Sequence, residues 1–156
     1  MITNEKLIFL DIDGVLNYRN MSDPIIVNER NKDSVCKSSV NLLNELISET
    51  DAKLVLSSAW RFFDDAFEIL NNRAGIKGEF IGKTSSCCTG IRGAEIYDWM
   101  RHNVEKYHDF QNYVILDDDS DMLMWQAKHF IKIDNYTGLT PNSIYKAKRI
   151  LSGIFH

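Results

Sequence analysis

The sequence predicts an α/β fold in which a central, mostly parallel five-stranded sheet is covered by helices on both faces. Two observations carry this expectation. Short runs of buried-strand type alternate regularly with longer stretches of helical period along the 156 residues, the pattern of strands joined by crossover helices. The acids gather where those strands run out, at Asp11-Ile12-Asp13 and at Asp117-Asp118-Asp119, and open parallel sheets bind their ligands beyond the carboxyl ends of the strands.

The elements follow in order. Residues 6–11 form a continuous apolar run ending in acid, as a strand buried on both faces requires. Residues 34–48 space Val35, Val40, Leu43, Leu46 and Ile47 at helical period, and 53–57 is a second buried strand. Residues 62–72, with Phe63, Phe67 and Leu70, predict a helix stopped near Ala74-Gly75. A weaker edge strand is expected at 79–83. Residues 93–104 then turn Ile96, Trp99, Met100 and Val104 to one face of a helix. Residues 113–116 are the clearest strand and run straight into the acids at 117–119. A short helix at 121–129 and a strand at 130–134 follow. Thr140-Pro141 is an N-cap with proline in the first helical position, opening a last helix to about residue 155.

Size and composition set bounds. A chain of 156 residues is expected to form one domain, 1–156. Its 44% hydrophobic and 26% charged residues are those of a globular protein. The apolar runs are too short to span a membrane, and residues 1–6 lack the basic start and apolar stretch of a secretory signal, so a cytoplasmic location is the expectation. Three cysteines, Cys36 and the adjacent Cys87-Cys88, have neither the number nor the spacing of a disulfide framework or a zinc site. A formal net charge of −4 gives no global basic footprint for nucleic acid, although it leaves room for a local basic groove. The four histidines have no metal-ligand spacing and are expected at the surface or in packing.

The chemistry is concentrated at the strand ends. Asp11 and Asp13 lie one residue apart where a strand opens into a loop, and Gly14 lets the backbone turn sharply after them. With Asp117 and Asp118 arriving from another strand end, such a cluster repels itself unless it takes up protons or a cation. Oxygen ligands without histidine or thiolate favour Mg2+.

These residues carry a resemblance. Asp11-Ile12-Asp13-Gly14-Val15, Ser57 after a strand, a later basic residue, and Asp117-Asp118 after Tyr113-Val114-Ile115-Leu116 resemble the four motifs of the haloacid dehalogenase-like (HAD) superfamily. The resemblance spans about residues 6–134. Leu56-Ser57-Ser58-Ala59-Trp60-Arg61, Arg92-Gly93-Ala94-Glu95-Ile96 and Ile115 through Met122 look like HAD domains associated with RNA-repair proteins. Asp117-Asp118 is also similar to the phosphatase domain of phage polynucleotide kinase-phosphatase.

The resemblance implies a Rossmann-like three-layer sandwich and a Mg2+-dependent phosphatase working through an aspartyl-phosphate. In it Asp11 is the nucleophile, Asp13 the general acid and then base, and Ser57 a hydrogen-bond donor to a phosphoryl oxygen. Arg92 takes the place of the usual lysine. Magnesium is held by Asp11, the Asp13 carbonyl and an acid of the Asp117-Asp118 pair, Asp118 being favoured, with Asp117 and Asp121 in support. Gly14, Ser58 and Arg61 are the expected substrate-binding residues, and Trp60 and Trp99 are candidates either for stacking on a base or for the core.

The spaces between motifs leave little or no room for a cap, and an open site suits a phosphate on something large, such as a nucleic-acid end. Residues 17–32 are expected to form a lid, a substrate rim or a plain surface loop. The alternatives are a small-metabolite or protein phosphatase of the same fold, or a phosphate-binding module without catalysis. The oligomeric state is not legible.

Overall fold

In the computed structural model, which describes residues 1–86 and 90–155, the sheet has five strands in the order β5-β4-β1-β6-β7, and every neighbouring pair is parallel. The strands are β1 (Leu7–Leu10), β4 (Lys53–Leu56), β5 (Phe80–Lys83), β6 (Tyr113–Asp117) and β7 (Phe130–Lys132). Cys87, Cys88 and His156 lie outside the described residues. Among the described residues, no helix is long and apolar enough to cross a membrane.

β1 is central, and all four of its residues are buried, because its side chains alternate between two cores. Ile8 and Leu10 join Leu54, Leu56, Val114 and Leu116 on one face, beneath α1 (Lys37–Thr50), α4 (Pro141–Leu151) and the helical turns after β4. Leu7 and Phe9 join Val55 and Ile115 on the other, where Ile96, Trp99 and Met100 of α3 (Arg92–Asn103) cover them. Both faces are therefore filled, which is why these strands read as unbroken apolar runs rather than as alternation. Gly82 of β5 is small for a packing reason: a Cβ there would sit 2.9 Å from the Trp99 indole nitrogen.

Three expected elements take a different form. The stretch 17–32 is not a plain loop, for β2 (Pro24–Asn28) and β3 (Asp33–Cys36) pair as an antiparallel hairpin. β3 claims residues 34–36 from the expected helix, so α1 begins at Lys37. The hairpin is fastened to the body: Val27 and Val35 enter the core, and Arg73 Nη1 donates to the Val27 carbonyl at 3.1 Å. It is a fixed rim rather than a hinged lid.

The helix expected at 62–72 is broken into a 3-10 turn (Ala59–Phe62), a short α2 (Ala66–Glu68) and a π turn (Ile69–Arg73). The π turn closes with the Ala74 N–H on the Ile69 carbonyl, one residue wider than α. The segment expected as a helix at 121–129 is a 3-10 helix over Met124–His129. α4 starts as expected, with the Thr140 hydroxyl accepting from the Ser143 N–H at 3.2 Å, but stops at Leu151, ahead of the expected end.

The chain runs from β1 outward to β4 and β5 on one side, then crosses to β6 and β7 on the other. The order of strands thus reverses at β1, and the crevice opens beyond its carboxyl end.

Candidate active site

The parallel ladder carries two site residues past the ends of their strands. Asp11 donates its N–H to the Leu116 carbonyl at 3.0 Å, and Ser57 donates its N–H to the Leu10 carbonyl at 2.8 Å. Asp117 closes β6 next door. Carboxylate oxygens of Asp11, Asp117 and Asp118 all lie within 4.8 Å of one another, with the first two side chains buried. Gly14, at φ +83°, lets the β1 loop lie against this group. A Cβ at that position would stand 2.3 Å from Asp118 Oδ2, so the glycine is required by both backbone conformation and space.

Close-packed carboxyls in a low dielectric hold protons. Burial, reinforced by the neighbouring Asp117, pushes the Asp11 carboxyl up to about 9, against the pull of Arg92. Burial likewise raises Asp117 to about 6, although the Asp119 N–H donates to its Oδ1 at 2.9 Å. Its other oxygen is buried without a hydrogen-bond partner among the described residues. Arg92, at the start of α3, sets one guanidinium between the two acids, 3.9 Å from Asp11 Oδ1 and 3.7 Å from Asp117 Oδ2, and donates to the Ser57 carbonyl. One cation cannot balance three carboxylates. An oxygen-only donor set with surplus negative charge and a buried oxygen that accepts no hydrogen bond fits a hard divalent cation, and Asp11, Asp117 and Asp118 are the side chains that would hold it.

Asp13 stands apart from this trio. It is exposed, and two donors converge on its Oδ1: Trp60 Nε1 at 3.2 Å and Asn17 Nδ2 at 3.0 Å. Asn17 also accepts from the Gly14 N–H at 3.0 Å and donates to the Ser34 carbonyl, tying the loop to the hairpin. The orientation of Asp13 is thus fixed through one oxygen. Ser57 presents a buried hydroxyl whose Oγ has no hydrogen-bond partner among the described residues. Such a group is costly unless a ligand engages it.

Other candidates fall elsewhere. Ser58 is wholly buried and caps the following turn, its Oγ accepting from the Trp60 N–H at 3.2 Å. Arg61 is neither solvated nor helix-capping; it forms a buried, two-pronged pair with Glu95 at 3.0 and 3.2 Å. Asp121 lies outside the trio. Its Oδ2 accepts from the Arg92 N–H at 2.9 Å and its carbonyl from the Gly93 N–H, so it anchors the start of α3. Trp60 and Trp99 are 3% and 8% exposed, which makes them core residues. Sequence reasoning missed Asn17, the indole contact of Trp60 to Asp13, and Glu95. Each acts through a partner distant in sequence or across a turn, and no spacing rule marks it.

Residues 7–144 match the family model of the HAD domain in Swiss Army Knife RNA repair proteins. The chain belongs to that family. No curated protein matches it. Membership makes phosphatase-type chemistry the expectation for this HAD domain, and the trio is a group of acids that could hold a metal ion.

Proposed function

We propose that this HAD domain is a Mg2+-dependent phosphomonoesterase that forms an aspartyl-phosphate on Asp11 and acts on a nucleic-acid or nucleotide phosphate. The observation that carries the reading is the convergence of Asp11 with Asp117, Asp118 and Arg92 beside the unpaired Ser57 hydroxyl. Phosphoryl transfer needs little covalent chemistry beyond a nucleophile, so positioning and positive charge carry most of the catalysis. A bound Mg2+ would supply charge against the phosphoryl oxygens and keep Asp11 ionised.

The chain's own groups do the rest. Asp11 attacks phosphorus in line with the leaving oxygen, Arg92 offsets charge on the equatorial oxygens, and Ser57 donates to one of them. Asp13, held through its Oδ1 by Trp60 and Asn17, gives a proton to the departing oxygen. It then takes a proton from the water that opens the phospho-aspartate. A rim made of a fixed hairpin, with no larger insertion between β1 and α1, supports an accessible site for a phosphate on a large molecule. Location in the cytoplasm belongs to the same proposal.

The test is phosphate release from 3′-phosphorylated and 5′-phosphorylated oligonucleotides and an aryl phosphate, with and without Mg2+ and with Asp11→Asn as control. Release from an oligonucleotide end, abolished by chelator and by the substitution, is the expected result. Release from the aryl phosphate alone would keep the chemistry and remove the nucleic-acid substrate. Release undiminished in Asp11→Asn would overturn the mechanism.

A further inference from the structure

The 3-10 turn after β4 leaves a large apolar ring in water at the edge of the site. Phe62 is 64% exposed, and it lines an open cleft of about 520 Å³ with Arg61, Glu95, Arg92 and Asp119. Arg92 connects that cleft to the reaction centre, since the same guanidinium approaches Asp11 and Asp117.

The turn that carries the ring is held in place. The Arg61 guanidinium lies 5.0 Å from the Phe62 ring centre, and Glu95 grips that guanidinium with both oxygens. Lys83 Nζ donates to the Arg61 carbonyl at 2.8 Å, on the peptide that leads into Phe62, and the Ser58 hydroxyl caps the turn. A ring fixed in this way loses little freedom when a planar partner stacks on it.

The charges around the cleft narrow the partner. Both guanidiniums are engaged with carboxylates, Arg61 with Glu95 and Arg92 with Asp11 and Asp117, and Asp119 and Asp121 add further negative charge to the wall. A second phosphate is poorly served there, whereas a neutral planar group meets an exposed ring. Trp60 and Trp99 cannot take this part, because both are buried, and the exposed Trp125 lines a different cavity, with Tyr97 and Tyr107.

We propose that Phe62 is the stacking platform for the nucleobase of the nucleotide whose phosphate meets Asp11 and Arg92, with Arg61 and Glu95 as positioning residues. The proposal rests on the phosphatase reading for the place of the phosphate. It specifies a terminal nucleotide, recognised by phosphate and base together, as the ligand.

The experiment measures binding by calorimetry in Mg2+, in an Asp11→Asn background that prevents turnover. The probes are adenosine 3′-monophosphate, adenosine 5′-monophosphate and inorganic phosphate. At least one nucleotide should bind about tenfold or more tighter than inorganic phosphate, the scale of base–aromatic stacking. Phe62→Ala should remove most of that advantage while changing the affinity for inorganic phosphate less than roughly twofold, and Phe62→Trp should retain it. Nucleotides that bind no tighter than phosphate, or an equal loss for all three probes in Phe62→Ala, would overturn the proposal. Phosphate release by the Asp11-intact protein is scored separately. A nucleotide advantage without any turnover would sink the phosphatase reading and leave the stacking site standing.

Discussion

The first turn of α3 carries two charges, a buried Glu95 and a partly buried Arg92, into two differently built surroundings. Glu95 meets Arg61 one to one, with two hydrogen bonds between them and both side chains at least nine-tenths buried. Arg92, three residues earlier, faces three carboxylates of which it contacts two, beside a serine hydroxyl and an Asp117 oxygen that have no hydrogen-bond partner among the described residues. The first arrangement balances its charges within the chain, one cation against one anion, and leaves only the Arg61 Nε of the pair buried without a hydrogen-bond partner among the described residues. The second is left open, and its surplus charge and unpaired atoms are what a cation and a phosphate would complete. Buried polar groups that the fold does not satisfy mark where a ligand is expected.

The strongest way to break this contrast is to neutralise the open cluster. Asp11→Asn should lower turnover by roughly 10⁴-fold or more, as loss of a nucleophile does. It should also stabilise the metal-free protein. The folded chain keeps the Asp11 proton up to about 9, whereas an unfolded chain releases it near pH 4. The metal-free fold therefore loses stability as pH rises between those values, and Asp117 adds a smaller loss that is complete by about 6. The Tm of Asp11→Asn should exceed that of the parent by roughly 5 °C at pH 8 without divalent cation, and the two should meet near pH 4. A lower Tm for the variant at pH 8 would show that Asp11 is compensated by the fold itself.

The closed pair should respond in the opposite sense. Glu95→Ala strands the Arg61 charge in the interior, which costs about 3–5 kcal/mol and lowers Tm by roughly 10 °C. Replacing both partners, Arg61→Met with Glu95→Leu, should recover most of that loss. If Glu95→Ala melts with the parent, the pair is not closed in solution.

Smaller effects sharpen the roles within the site. Trp60→Phe removes the indole donor from Asp13 and keeps the packing; kcat should fall roughly tenfold, the worth of one hydrogen bond. The fall should be larger for an alkyl phosphate than for a nitrophenyl phosphate, whose leaving group needs less proton donation. Equal falls would take Trp60 out of the proton-transfer step. Ser57→Ala should raise KM several-fold and leave Tm within about 2 °C, because the hydroxyl has no partner to lose. A clear drop in Tm would assign Ser57 to the fold instead.

The sheet was legible because its strands are buried on both faces, and residues such as Ile8, Phe9, Val55 and Ile115 advertise that as unbroken apolar runs. The hairpin was hidden by its polar ends, although Ile25-Ile26-Val27 is a β-branched run of strand type. The helix after β4 was misjudged because its apolar spacing fits an α-helix as well as the 3-10, α and π turns it forms. Local spacing does not say which hydrogen bond closes each turn, and the π turn is also tied to the hairpin through Arg73, a contact no local pattern shows.

For the site the division is similar. Position in the chain determined that Asp11, Asp13, Ser57 and Asp117 stand at strand ends, because a parallel sheet delivers every carboxyl end to one edge. Tertiary structure alone decided that Arg61 pairs with Glu95 and that Trp60 and Asn17 aim Asp13. Those outcomes depend on angles and distances between segments up to 47 residues apart, and side-chain partners across such gaps are chosen by packing and charge in three dimensions.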